Sequence, residues 1–165
     1  MSNPGEANPT LAVLVSGWEA YQESLIAALT PLTDEQLALR VAPHLRSIDE
    51  NVRHIIATRT GWYHTGLGAG GDDFVAYRQW QALDAPSRSA AELIDGLRET
   101  WRVMWEALAS FTPVAMQETV SGTWQGEPFA LVRGWIVWHV IEHDLHHGGE
   151  VSFTLGMHGL AAPDI

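Results

Sequence analysis

Apolar residues recur at three- and four-residue steps in four stretches of the chain, the signature of helices with one buried face. The first stretch runs from about Leu11 to Leu29, with Leu11, Leu14, Trp18, Tyr21, Leu25 and Ala28 on its stripe and Thr30-Pro31 ending it. The second, from about Ile48 to Gly66, offers Ile48, Val52, Ile55, Ile56 and Trp62. The third follows Ser89 and runs to about Ser110, with Leu93, Leu97, Trp101, Met104 (or Trp105) and Leu108 inward and Pro113 as its stop. The fourth spans about Phe129 to Leu155. Thr33 with Gln36, Ser47 with Glu50 and Ser89 with Glu92 each have the capping-box spacing at a helix start; the first opens only a short turn, Asp34 to Leu39.

The segments between these stretches are of two kinds. Four glycines between Gly66 and Gly71 mark a loop. It leads into a long crossover, residues 67–86, with a short helix near Phe74 to Gln79. The stretch Gln117 to Pro128 reads as a short hairpin or an irregular crossover. The predicted fold is all-α: a four-helix bundle in one domain, residues 1–165, with the long crossover between the second and third helices. Residues 1–10 are polar, carry two prolines and are expected to be flexible. No basic region followed by an apolar run marks a signal peptide there. The densest apolar run, Leu131 to Ile141, is too short to span a bilayer, so the expected location is the cytoplasm.

Charge narrows the partners. Twenty acidic residues against nine basic ones give a net charge of −11, which disfavours nucleic-acid binding and docking on anionic lipid. The chain has no cysteine, which removes disulfides, thiolate ligands and a cysteine nucleophile, but it has eight histidines. Four of them fall in Trp138-His139-Val140-Ile141-Glu142-His143-Asp144-Leu145-His146-His147-Gly148-Gly149-Glu150. On a helix turning about 100° per residue, Val132, Ile136 and Val140 point within about 60° of His143, and His147 about 40° from it. The two histidines therefore continue the core-facing stripe, one turn apart, where two imidazoles can share a cation.

A single inward histidine is ordinarily a hydrogen-bonded core residue. Two at this spacing are costly to bury unpaired and favour a metal. A catalytic divalent ion usually takes three protein ligands, so the third should come from another helix. His54, mid-helix on the flank of an apolar stripe, is the first candidate and His64 the reserve; His44 and His158 are expected to be exposed. His139, His146, Asp144 and Glu150 lie where they could orient ligands or relay a proton. The tryptophans Trp101, Trp105, Trp135 and Trp138 read most simply as core packing.

The run His143-Asp144-Leu145-His146-His147-Gly148-Gly149-Glu150, with Arg133-Gly134-Trp135 and Trp138-His139 ahead of it, resembles the final-helix motif of the DinB-like superfamily of metal-binding four-helix bundles. That superfamily includes S-transferases using mycothiol or bacillithiol, together with stress-associated proteins. The resemblance implies His54, His143 and His147 as metal ligands. It departs from the family at Asp144, commonly Glu, and at Gly148, commonly Arg. It implies a divalent metal, zinc or nickel ahead of iron or manganese, that activates a low-molecular-weight thiol for attack on an electrophilic small molecule. Hydrolysis by metal-activated water is the alternative enzymatic reading. A non-catalytic, stress- or DNA-damage-associated dimer is the alternative of another class. The expected assembly is a homodimer.

Overall fold

Why the four stretches become helices is visible at their ends in a computed structural model of the chain, which describes residues 8–124 and 126–163. Helix α1 (Pro9–Leu29) starts with Pro9 in its first turn, and the Asn8 side chain accepts from the Leu11 N–H. Residues 8–10 thus form the start of α1, and the other residues expected to be flexible, 1–7, lie outside the described residues. All three capping boxes form. They open α2 (Asp34–Leu37), α3 (Ile48–Gly61) and α5 (Ala90–Leu108). α3 runs on through a π-helical turn, Trp62–Gly66. The crossover holds α4 (Asp72–Ala76) and a 3-10 turn, Tyr77–Gln81. A second 3-10 turn, Ala115–Gln117, precedes β1 (Thr119–Trp124), β2 (Glu127–Val132) and α6 (Arg133–Met157).

The fold is thus mostly helical with one two-stranded antiparallel sheet. The hairpin is real, and it corrects the start of the last helix. Phe129 to Val132 pair with Thr119 to Gly122, Thr119 facing Val132, so α6 begins four residues later than its apolar run suggests. Val132 consequently stands exposed on the hairpin instead of extending the core stripe. Two ties fix the junction: the Arg133 N–H donates to the Glu118 carbonyl at 2.9 Å, and the Arg133 guanidinium pairs with the Glu118 carboxylate at 2.6 Å.

Two apolar clusters fill the interior. One gathers Leu25, Leu29, Ile48, Val52, Ile55, Ile56, Leu93, Leu97, Val151 and Leu155. The other gathers Leu11, Val15, Trp18, Tyr63, Trp101, Met104, Leu108, Val137 and Val140. Near the start of α1 the buried members are Leu11 and Val15, while Leu14 is exposed. Between its contributions to the two clusters each of the four long helices carries a polar residue that belongs to one buried layer: Gln22, Arg59, Thr100 and Asp144. All four are buried. The Arg59 guanidinium donates to the Gln22 side chain at 2.6 Å and, through Nε, to Asp144 Oδ2 at 2.8 Å. Its contacts to the Leu97 carbonyl and the Thr100 hydroxyl, at 3.3 and 3.5 Å, are longer. A buried cation costs several kcal/mol unless it is paired and hydrogen-bonded, and here it is both.

The tryptophans divide. Trp18 and Trp101 pack edge to face in the second cluster, centroids 5.1 Å apart. Trp135 and Trp138 are exposed, so the reading of those two as core residues is corrected. No helix among the described residues is long and apolar enough to cross a membrane.

Candidate metal centre

Helix α3 brings His54 to α6, where His143 and His147 lie one turn apart. The three rings form a near-regular triangle, with centroid separations of 4.7 Å (54–143), 4.6 Å (54–147) and 4.4 Å (143–147). One ligand nitrogen from each lies within 4.8 Å of the others. The closest approach is His54 Nε2 to His143 Nε2, 3.0 Å. A group of this kind could hold a metal ion.

Local partners settle which nitrogens face inward. His54 Nδ1 lies 2.8 Å from Gln81 Oε1, and His147 Nδ1 lies 2.8 Å from Glu150 Oε2. Both oxygens can only accept, so each Nδ1 carries the proton and each Nε2 keeps its lone pair. This is the arrangement by which metal-ligating histidines are ordinarily oriented. His143 Nδ1 is buried without a hydrogen-bond partner.

Protonation is suppressed at all three rings. Burial, reinforced by the Arg46 charge, brings the His54 imidazole down from 6.5 to about 4. Burial and then the neighbouring rings of His147 and His54 bring His143 down to about 2. His147 is lowered by burial too, against the opposing pull of Glu150. A cation needs neutral imidazoles, and this pocket keeps them neutral near pH 7. The donor set therefore fits a divalent first-row metal.

The remaining histidines fall into place around this group. His139 is half-buried outside it, its ring stacked on Trp135 at 4.9 Å, edge-on to Trp62 at 5.0 Å, and 6.4 Å from His143. His146 is exposed, 3.6 Å from Glu150, and forms with His147 and Glu150 a second group that could hold an ion. His64 turns away to the Ala69 carbonyl, so the reserve ligand does not join the site. His44 and His158 are exposed, as expected.

Asp144 is not brought to the imidazoles. It is 1 % exposed, and its Oδ2 accepts from Arg59 and from the Trp18 indole N–H at 2.8 Å. Burial pushes its carboxyl upward, while Arg59 and then Trp18 hold it down. The helical step explains the outcome: one residue beyond His143 the side chain turns about 100° away, toward the buried polar layer. Gly148 also has a steric reason. A Cβ there would collide with the Tyr21 hydroxyl, which lies against the α6 backbone. No longer side chain fits that position without displacing Tyr21.

Gln81 is the site residue that helical periodicity misses, because it arrives from the crossover. Its delivery depends on α3. Arg53 binds Asp49 at 2.9 Å and also donates to the Trp80 carbonyl, tying the 3-10 turn down beside His54.

A mostly helical protein with three imidazoles converging between two of its long helices is thus defined. The chain belongs to the DinB superfamily, whose family model matches residues 18–151, a span that includes all three histidines. A crystal structure of a DinB-like protein from Bacillus cereus ATCC 10987 is similar in fold, with a TM-score of 0.68 over 91% of this chain and 93% of that one at 24% sequence identity. No curated protein matches the sequence.

Proposed function

We propose that this protein is a divalent-metal-dependent enzyme of the S-transferase type, joining a small thiol to an electrophilic small molecule. The observation that carries the reading is the triangle of three neutral imidazoles, two of them with Nε2 lone pairs fixed inward by Gln81 and Glu150. His54, His143 and His147 hold the ion, zinc or nickel. When bound, such an ion acts as a Lewis acid that favours the deprotonated form of a neighbouring thiol or water.

The rest falls to the chain's own residues. The sequence has no cysteine, so a thiol must come from outside. In the transfer, sulfur gives up its proton and bonds to the electrophilic carbon as the leaving group departs with its electron pair; nothing is oxidised or reduced. We assign that proton to His139, a role supported by its ring standing beside the triangle without belonging to it. Trp62 and Trp135 flank His139 and offer an apolar wall to the electrophile. Glu150 and Gln81 act through His147 and His54, and His146 stands at the solvent edge. The reading also takes the four long helices as a bundle around the Arg59 layer, pairing as a homodimer in the cytoplasm.

The test is the loss of a chloro-dinitroarene by metal-loaded protein with and without added thiols. Thiol-dependent loss, abolished by a chelator and reduced in His139→Gln at unchanged metal content, is the expected result. Loss without thiol would indicate hydrolysis instead, and no turnover at any metal loading would indicate a binding protein.

A further inference from the structure

All nine basic residues of this acidic chain are arginines. Three of them, Arg40, Arg46 and Arg53, line a hollow of about 300 Å³ beside His54 and Gln81. A second hollow, of about 390 Å³, shares His44, Leu45 and Arg46 with the first and is bounded by Asn51, Glu150 and Phe153. Two of the three cations are already engaged. Arg40 pairs with Glu50 at 2.7 Å and donates to the Leu45 carbonyl; Arg53 is held by Asp49 and the Trp80 carbonyl. Arg46 is exposed and has no ion pair or hydrogen bond among the described residues. Asn51, which lines the second hollow with Arg46, is 2 % exposed, and its buried Oδ1 has no hydrogen-bond partner among the described residues.

An unpaired guanidinium and an unpaired buried acceptor at one pair of hollows describe a ligand with complementary chemistry. We propose that these hollows bind a small monocarboxylate that also carries an N–H or O–H donor, with the carboxylate anchored on Arg46 and the donor on Asn51 Oδ1. A planar carboxylate matches the guanidinium fork. A single charge suits the site better than a phosphate dianion, because only one cation is open and the Glu150 carboxylate lines the same hollow. The ligand's apolar body would rest on Leu45 and Phe153. His54 lines the first hollow together with Arg46, so a molecule anchored on Arg46 lies beside the imidazole triangle. Resting on the reading above, this ligand is the thiol co-substrate, and the hollows select thiols that are also acids.

Calorimetric titration of the zinc-loaded protein with N-acetylcysteine, N-acetylcysteamine (the same thiol and amide without the carboxylate) and N-acetylalanine (the carboxylate and amide without sulfur) tests this. Wild type should bind the acidic thiol about tenfold or more tightly than the neutral one, in line with a charge-assisted contact. Arg46→Ala should shrink that preference to within about twofold, whereas Arg98→Ala, which removes the same charge from an exposed position on α5, should keep it. Arg46 is exposed and pairs with none of the described residues, so its removal leaves the core intact. A preference that survives Arg46→Ala, or is absent from wild type, overturns the proposal. N-acetylalanine bound through Arg46 with no gain from sulfur upholds the anion site and counts against thiol transfer; a gain from sulfur without any carboxylate preference does the reverse.

Discussion

Helices α3 and α6 are joined by two polar contacts that differ in kind. At one, Arg59 and Asp144 are 0 % and 1 % exposed, and the guanidinium reaches Gln22, Thr100 and the Leu97 carbonyl as well. At the other, His54 meets His143 and His147 in a half-buried cluster of ring nitrogens, with Nε2 of His54 3.0 Å from Nε2 of His143. Ionic charge is answered within the chain in the first, and donor capacity is left over in the second. Asp144 lies between His143 and His147 in sequence, so a rotation of about 100° along one helix separates a structural pair from a ligand set. Burial of polar groups therefore does not by itself mark a site, and neither does one unsatisfied atom, since Asp144 Oδ1 has no hydrogen-bond partner among the described residues; several ligand nitrogens converging on one point do.

The largest effect should come from breaking the structural pair. Arg59→Ala leaves Asp144 buried without its cation and should cost about 3–5 kcal/mol in a urea melt. A cost near zero would mean that the pair does not brace the helices. Next is Gly148→Ala. Its methyl group drives Tyr21 off the α6 backbone, and overpacking of this kind costs about 1–3 kcal/mol. Thermal unfolding of the metal-free protein measures it, and an unshifted midpoint would show that Tyr21 moves freely.

Smaller changes should appear on the imidazole side and leave the fold alone. Glu150→Gln and Gln81→Leu remove or weaken the acceptors that orient His147 and His54. Competition with a chromophoric chelator should show metal affinity falling about 10- to 100-fold at constant helicity. The smallest effect is on pH dependence. Because burial lowers the folded-state His54 value from 6.5 to about 4, the unfolded chain takes up a proton first as pH falls. The stability due to a neutral His54 is complete above pH 6.5 and is lost as pH drops toward 4. Urea midpoints of metal-free protein across that window should decline, and less steeply in His54→Gln.

Much of this was legible in the sequence because the signals were local. Capping boxes at Thr33, Ser47 and Ser89 fix helix starts within four residues, and all three form. The i, i+4 spacing of His143 and His147 places two rings together in any helix. Other features depend on distant contacts. Phe129 to Val132 fits a helix or a strand alike, and pairing with Thr119 to Gly122 decides for the strand. Trp135 and Trp138 are apolar by type, but none of the described elements buries them. Gln81 lies in a 3-10 turn without periodicity, and its place beside His54 is set by Arg53 holding Trp80. The role of Asp144 had a signal that could have been read: Arg59 follows Ile55 and Ile56 on the buried face of α3, a cation that demands a buried anion.

The central claim is that imidazoles from two separate helices grip one divalent ion, and the histidine on α3 tests it most directly. Elemental analysis should find about one equivalent of metal per chain in purified wild type and close to none in His54→Ala of equal helicity. Equal metal in the two proteins would contradict the claim.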